Sequence, residues 1–326
     1  GGIHFFDSSG QRLLADKDYG TQFNPFNDAG VPSFNVRQAF LLDKDEVIYG
    51  LGQQQTGKVN QRNQKLFLRN QNMSICIPFI HSVKGYALYW DNYSPTTFLD
   101  NPQEMSFDSE VGDCADYYFI YGGNADGVIA GVRELTGQAP LYPLWTLGFW
   151  QCRERYTSGS HLVETIKEFR KRQLPVDVIV QDWQYWGDRG WGVPQFDEKN
   201  YSNPSAFIKE LHNLNAHFNI SIWSNPDKNS TIGKEYVAKN RFIPNTKWLD
   251  YFNPETRKEY WNTLKVNMFD NGVDSWWMDA VEPENDALKG EKTHIGAGDF
   301  YRLTYPLMVS QAVYEGQRES SSDKRV

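Results

Sequence analysis

What the sequence lacks narrows its function first. No run approaches roughly 18 consecutive apolar residues, so no membrane-spanning helix is expected. Cysteine is scarce. Cys76, Cys114 and Cys152 lie far apart, form no CxxC pair and allow one disulfide at most. Ordinary packing must therefore stabilise the chain. Positive charge is in deficit, with 33 basic residues against 41 acidic ones and a net charge of −8. No basic stretch offers a nucleic-acid footprint, so no nucleic-acid partner is expected. The six histidines, His4, His81, His161, His212, His217 and His294, make no ligand-spaced set with a carboxylate. Neither a metal nor a cofactor is expected, and His212 and His217 read as surface or helix-cap residues. Gly50-Leu51-Gly52 lacks the βαβ context of a dinucleotide fingerprint, and no Gly-x-Ser-x-Gly elbow occurs. No signal peptide is visible, and the opening Gly1-Gly2-Ile3-His4-Phe5-Phe6 reads as the middle of a strand rather than a natural start. A processed periplasmic or secreted bacterial protein is slightly favoured over a cytoplasmic one.

Aromatic residues, by contrast, are plentiful: 11 Trp, 18 Tyr and 20 Phe in 326 residues, many beside Asp, Glu, Asn or Gln. Tryptophan next to a polar partner suits a planar, half-polar ligand such as a sugar ring, though rich core packing would give the same count. With 40% hydrophobic and 23% charged residues, the chain is neither disordered nor fibrous, and its length suits two domains.

The two parts differ in texture. Up to about residue 120, short strands alternate with Gly, Asn and Asp turns: Ile3–Phe6, Glu46–Tyr49, Lys65–Leu68, Ser74–Ile80, Tyr86–Trp90 and Tyr117–Tyr121. This pattern predicts an antiparallel β-sandwich. Asn124 then caps a helix over Ala125–Thr136, ended by Gly137. Beyond Pro140 and Pro143, strands and helices alternate. Strands are expected at Leu144–Trp150, Val176–Gln181, Asn219–Trp223 and Val273–Met278, with helices at Ser158–Arg172, Pro204–Leu214, Pro254–Phe269 and Phe300–Tyr314. Such βα units surround a parallel sheet. Four strands fit a doubly wound sheet, whereas a closed barrel needs eight, and periodicity leaves the two open.

Each of these strands ends in a dense polar and aromatic cluster. They are Phe149-Trp150-Gln151-Cys152-Arg153-Glu154-Arg155-Tyr156, Gln181-Asp182-Trp183-Gln184-Tyr185-Trp186, Trp223-Ser224-Asn225-Pro226, and Trp276-Trp277-Met278-Asp279-Ala280-Val281-Glu282-Pro283-Glu284. The C-terminal ends of parallel strands carry active sites in barrels and open sheets alike. Asp279 stands out. A carboxylate emerging from a rigid strand beside large rings is placed as covalent attack on a sugar carbon requires. Asp182 ends its strand in the same way, and either binds sugar hydroxyls or pairs with Arg153 or Arg155. Of Glu282 and Glu284, flanking Pro283, one orients the site and the other faces solvent.

These clusters, in this order, resemble glycoside hydrolase family 31, the retaining α-glucosidase and α-xylosidase family. Tyr49-Gly50-Leu51-Gly52, Ile77-Pro78-Phe79 and Gly85-Tyr86-Ala87-Leu88-Tyr89-Trp90-Asp91-Asn92 are similar to its N-terminal sandwich. Gly148-Phe149-Trp150-Gln151, Asp177-Val178-Ile179-Val180-Gln181-Asp182-Trp183 and Trp277-Met278-Asp279 are similar to its barrel strands one, two and four. The resemblance implies a galactose-mutarotase-like antiparallel β-sandwich over residues 1–138, with its linking helix, followed over 139–326 by the first half of a (β/α)8 TIM barrel. It implies that Asp279 is the nucleophile and that Asp182 binds hydroxyls of the reacting sugar. Phe149, Trp183 and Trp223 would form the walls, Trp277 would face the subsite, and Glu282 would assist binding. Many members carry lysine where this chain has Trp277, which leaves the sugar in doubt. The motifs are closer to the bacterial α-xylosidase-like branch, whose common substrates are xyloglucan oligosaccharides, than to starch-acting α-glucosidases. An oligosaccharide is thus the expected substrate.

No residue of this chain matches the family's acid/base, so the chain reads as an N-terminal portion. By itself it is expected to be inactive, and either to self-associate or to be completed by the other barrel half. The alternatives are an α-glucosidase or α-transglucosylase of the same family, and a non-catalytic carbohydrate-binding protein on a truncated scaffold.

Overall fold

The computed structural model describes residues 2–321. The chain divides into two compact units. One runs to Ala139 and takes in also Glu282–Lys292 and Gly296–Thr304; the other comprises Pro140–Val281, Thr293–Ile295 and the chain from Tyr305 onward.

The first unit is a two-sheet sandwich. Its strands are β1 (His4–Phe6), β2 (Arg12–Asp16), β3 (Gln22–Asp28), β4 (Val31–Leu41), β5 (Ile48–Gln53), β6 (Lys65–Leu68), β7 (Ile75–Ser82), β8 (Tyr86–Trp90), β9 (Thr96–Asn101), β10 (Glu104–Gly112) and β11 (Tyr117–Tyr121). One sheet runs β1-β2-β4-β10-β9-β6, with β3 also on β4; the other runs β11-β8-β7-β5. All the pairings are antiparallel. Phe40, Phe98, Met105 and Phe107 from the first sheet and Ile48, Ile80, Leu88 and Trp90 from the second share one buried cluster. Alternating inward residues of two sheets make such a core. The sequence did not reveal β2, β3, β4, β9 and β10. β3 reads Gln-Phe-Asn-Pro-Phe-Asn-Asp, a turn-like composition, and pairs with β4. Proline is tolerated there because an edge strand leaves one side of its ladder open. Gly50 (φ 122°), Leu51 (φ 67°) and Gly52 (φ 83°) form a bulge where β5 slips register against β7. Helix α1 (Ala125–Thr136) forms as expected: Asn124 accepts the Gly127 N–H, and Gly137 at φ 85° ends it.

The second unit holds four parallel strands, β12 (Trp150–Gln151), β13 (Val178–Gln181), β14 (His217–Trp223) and β15 (Ser275–Asp279), in chain order. Between and after them come α2 (Gly159–Lys171), α3 (Pro204–Asn213), α4 (Thr231–Ala238), α5 (Pro254–Asn267), a short α6 (Gly298–Tyr301, in the other unit) and α7 (Tyr305–Ser320). The helix starts follow local chemistry. The Ser158 hydroxyl accepts the His161 N–H at 3.1 Å, and Asn203 and Asn253 cap helices that open on Pro204 and Pro254. In-sequence parallel strands joined by helices are the βα units of a barrel, here its first half.

Two expectations change. Leu144–Trp150 is not one strand: Leu144–Leu147 is a 3-10 turn, and only Trp150–Gln151 pairs. Thr146 donates to Pro143 O through both its N–H (3.1 Å) and its hydroxyl (2.7 Å), which holds the turn. The single helix expected at Phe300–Tyr314 is α6, a 3-10 turn at Arg302–Thr304, and then α7, which runs on to Ser320. No helix among the described residues is long and apolar enough to cross a membrane.

Candidate active site

The register of the parallel sheet decides which side chains meet. On β14, Phe218 packs edge-on against Phe207 of α3, with ring centroids 5.7 Å apart, so this parity faces the helices. His217, Asn219, Ser221 and Trp223 therefore line the opposite, interior face. On β15, Trp276 packs on Trp261 of α5 and donates to Gln317 of α7 at 2.7 Å, which turns Trp277 and Asp279 to the interior. The pairs Ser221↔Trp277 and Trp223↔Asp279 are level across the two strands. Gln181 is level with Ile220, so Asp182 follows opposite Ser221, and the Ser221 hydroxyl donates to Asp182 Oδ1 at 3.1 Å. Asp182, Trp223, Trp277 and Asp279 thus share one face at the C-terminal ends of adjacent strands.

Phe149 is not brought to this face. Trp150 is level with Val178, which places Phe149 on the helix side, where its ring lies 6.0 Å from Phe169 of α2; it is 51% exposed. The side chain near Asp182 from this part of the chain is Cys152, just after β12, whose thiol pKa is raised by burial and by the Asp182 charge. Glu282 belongs to the other compact unit, where it lines a narrow cavity with Arg69, Asn70 and Arg302.

The rings form a connected group. Trp186 packs edge-on against Trp223 at 5.1 Å and against Trp191 at 5.6 Å, while Trp191 also meets Trp183 at 6.2 Å and Trp223 at 5.7 Å. Trp186 and Trp223 are buried, whereas Trp191 is 44% exposed. Arg155 lies over the Trp183 ring at 5.9 Å. Sequence reasoning missed Trp191 because it belongs to no strand end. A signal was available in Gly190-Trp191-Gly192, whose glycines take φ 113° and 63°. They let the backbone fold back so that Asp227 N–H reaches Trp191 O at 2.8 Å.

The two carboxylates are poised differently. Asp182 Oδ1 also accepts the Trp183 N–H at 2.8 Å. Burial raises its pKa above the usual carboxylate range, the charges of Asp279 and Glu154 add to this, and the two hydrogen bonds oppose it. Asp279 Oδ1 accepts the N–H of Ala280 at 2.8 Å, and Ala280 sits at φ 51°. Gln184, just after Asp182-Trp183, has φ 62°. A non-glycine residue there costs roughly 1–3 kcal/mol and tends to cluster at working sites. Carboxylates beside an aromatic wall suit binding of a neutral polyol.

The model for the glycosyl hydrolases family 31 TIM-barrel domain matches residues 139–326, and that for the glycosyl hydrolase 31 N-terminal galactose mutarotase-like domain matches residues 1–98. An alpha-xylosidase of Saccharolobus solfataricus is 39% identical over 317 residues, covering 92% of this chain and 43% of the relative. Alpha-glucosidase 2 of Bacillus thermoamyloliquefaciens is 23% identical, covering 99% and 45%. The crystal structure of a GH31 alpha-xylosidase from a soil metagenome, complexed with xylose, superposes with a TM-score of 0.90 at 28% identity, covering all of this chain and 53% of that one. The chain spans about half the length of the curated relatives it matches.

Proposed function

Because the chain belongs to glycosyl hydrolase family 31, we propose that the complete polypeptide is a retaining, exo-acting α-xylosidase that releases terminal α-linked xylose from oligosaccharides such as those of xyloglucan. The observation that carries this reading is the common face of Asp182, Trp223, Trp277 and Asp279 at the strand ends. The 39% identity to an alpha-xylosidase supports the choice of sugar.

In the first step Asp279 attacks the anomeric carbon. The bond from that carbon to the leaving oxygen breaks, and a carboxylic acid outside this sequence gives the leaving oxygen its proton. In the second step that same group, now a carboxylate, takes a proton from water. The water oxygen attacks the anomeric carbon and Asp279 departs with its electron pair. Asp182 accepts hydrogen bonds from the sugar hydroxyls, and these strengthen as the ring takes on positive charge. Trp183, Trp191 and Trp277 exclude water and stack on the sugar, and the buried Trp223 backs this wall. Glu282 is a further binding group. Family resemblance also assigned a wall to Phe149; its packing on Phe169 argues against that role.

A panel of chromogenic α-xylosides and α-glucosides on the complete protein tests the reading. The α-xyloside should be preferred by at least tenfold in kcat/KM; preference for the α-glucoside would favour the second reading, an α-glucosidase or α-transglucosylase, which rests on the similarity to alpha-glucosidase 2. On this reading the acid/base lies outside the 326-residue chain, which alone should show no turnover.

A further inference from the structure

The segment that follows β15 does not stay with the sheet it leaves. Glu282–Lys292 and Gly296–Thr304 are part of the sandwich unit. Arg302 fastens them there. Its side chain is 4% exposed and meets Glu110 of β10 at 2.5 Å, Asp299 at 3.0 Å and Asp286 at 3.8 Å. Asp286 is gripped from its other oxygen by Arg69 at 2.6 Å. Backbone bonds reinforce the attachment: Phe300 N–H reaches Asp28 at 2.9 Å, and Leu303 N–H reaches Tyr93 O at 3.1 Å.

The gripped turn is strained. Asn285 and Asp286 both sit in the left-handed region, at φ 58° and 51°, without a glycine. Two such residues in succession persist only where the surroundings over-determine them. Asp286 is held from both sides: its Oδ2 accepts a charge-assisted hydrogen bond from Arg69 at 2.6 Å, and its Oδ1 faces the buried Arg302 Nε as an ion pair at 3.8 Å. Glu282 and Pro283 line the same narrow cavity as Arg69, Asp286 and Arg302. The turn that Arg302 holds is therefore the one that carries Glu282, which leaves the backbone shortly after Asp279 in the sequence.

We propose that Arg302 is a positioning residue: through Asp286 it fixes the turn that bears Glu282, and so sets the loop that follows the nucleophile strand. This rests on the reading of Asp279 as nucleophile. It goes beyond that reading in placing a determinant of turnover inside the β-sandwich, in a side chain that touches no substrate.

The test uses the complete enzyme with an aryl α-xyloside, at a temperature well below unfolding, together with amide hydrogen exchange. Arg302→Gln should lower kcat/KM at least tenfold. It should speed exchange of peptides covering 280–292 at least tenfold while leaving peptides of β4 unchanged. Arg69→Gln, at a more exposed site, should act in the same direction by about threefold, and it carries the test if Arg302→Gln fails to fold. Arg302→Lys, which keeps the charge, should recover most of the loss. Unaltered kcat/KM in a folded Arg302→Gln or Arg69→Gln enzyme would overturn the proposal. So would faster exchange spread equally over β4, because that is general destabilisation and not a local release. An active Asp279→Ala enzyme would instead sink the underlying reading, and the exchange pattern of 280–292 would remain as a separate check on the clamp.

Discussion

At the start of β15, Asp274 accepts a hydrogen bond from His212 Nε2 at 2.8 Å and from the Phe218 N–H at 2.7 Å, and His217 Nδ1 lies 3.3 Å away. At the end of the same strand, Asp279 accepts from the Ala280 N–H, while its neighbour Asp182 accepts from one N–H and one hydroxyl. The contrast is one of compensation. Burial would raise Asp274, but the two histidines and the amide outweigh it and hold its pKa below the usual range. Burial raises Asp182, and its two neutral donors do not cancel that effect. Asp274, before β15, is thus compensated where it stands, and Asp182, after β13, is not. In barrels the first end serves stability and the second serves chemistry.

Four substitutions in the complete enzyme would break or sharpen this contrast. On the proposed mechanism, Asp279→Ala should reduce turnover by at least about 10³-fold, since losing the proposed nucleophile removes the covalent path altogether. Its thermal midpoint should be nearly unchanged, which differential scanning calorimetry would check. Asp182→Asn should lower kcat/KM by about 10²-fold through weakened transition-state hydrogen bonds. Because its pKa is raised, ionised Asp182 opposes folding as pH rises through and above its unfolded value. The Asn variant should therefore be as stable as the parent or more so at pH 7.

At the other end the pattern should reverse. Asp274→Ala should cost about 2–3 kcal/mol in urea unfolding, the range for losing buried charge-assisted hydrogen bonds, with kcat per folded molecule unaltered. His212→Gln should have the smallest effect, and a pH-dependent one. His212 is raised mainly by its hydrogen bond to Asp274, so its stabilisation is fully present below its unfolded value of about 6.5 and fades as pH rises through the higher folded value. Asp274 works in the opposite direction: its contribution is present above its unfolded value of about 3.9 and fades as pH falls through the folded one. The melting difference between parent and His212→Gln should thus be widest near pH 5–6 and shrink toward pH 9.

Much of this was legible in the sequence, and the gaps have physical causes. Capped helices such as Ala125–Thr136 and Pro204–Asn213 could be read because Asn124, Asn203 and Pro204 are local signals. The four clusters at the strand ends were also visible as local runs. The His212–His217–Asp274 group could not be read from spacing, because it joins α3, β14 and the residue before β15 across more than 50 positions. Phe149 was expected among the walls from the family resemblance. The register of β12 turned it to the helix layer, a one-residue matter that only strand pairing decides. The polar strands β3 and β9 look like loops until their partners are known.

The identity of the nucleophile is the point on which the account depends, and trapping it is the most direct test. A fluorinated α-xylosyl fluoride that slows breakdown of the covalent intermediate should inactivate the complete enzyme, adding one sugar per molecule. After proteolysis, mass spectrometry should find that sugar on the peptide containing Asp279, and Asp279→Ala should take up none. Label on Asp182, on Glu282 or on any other carboxylate, or an Asp279→Ala enzyme that is still labelled, would contradict it.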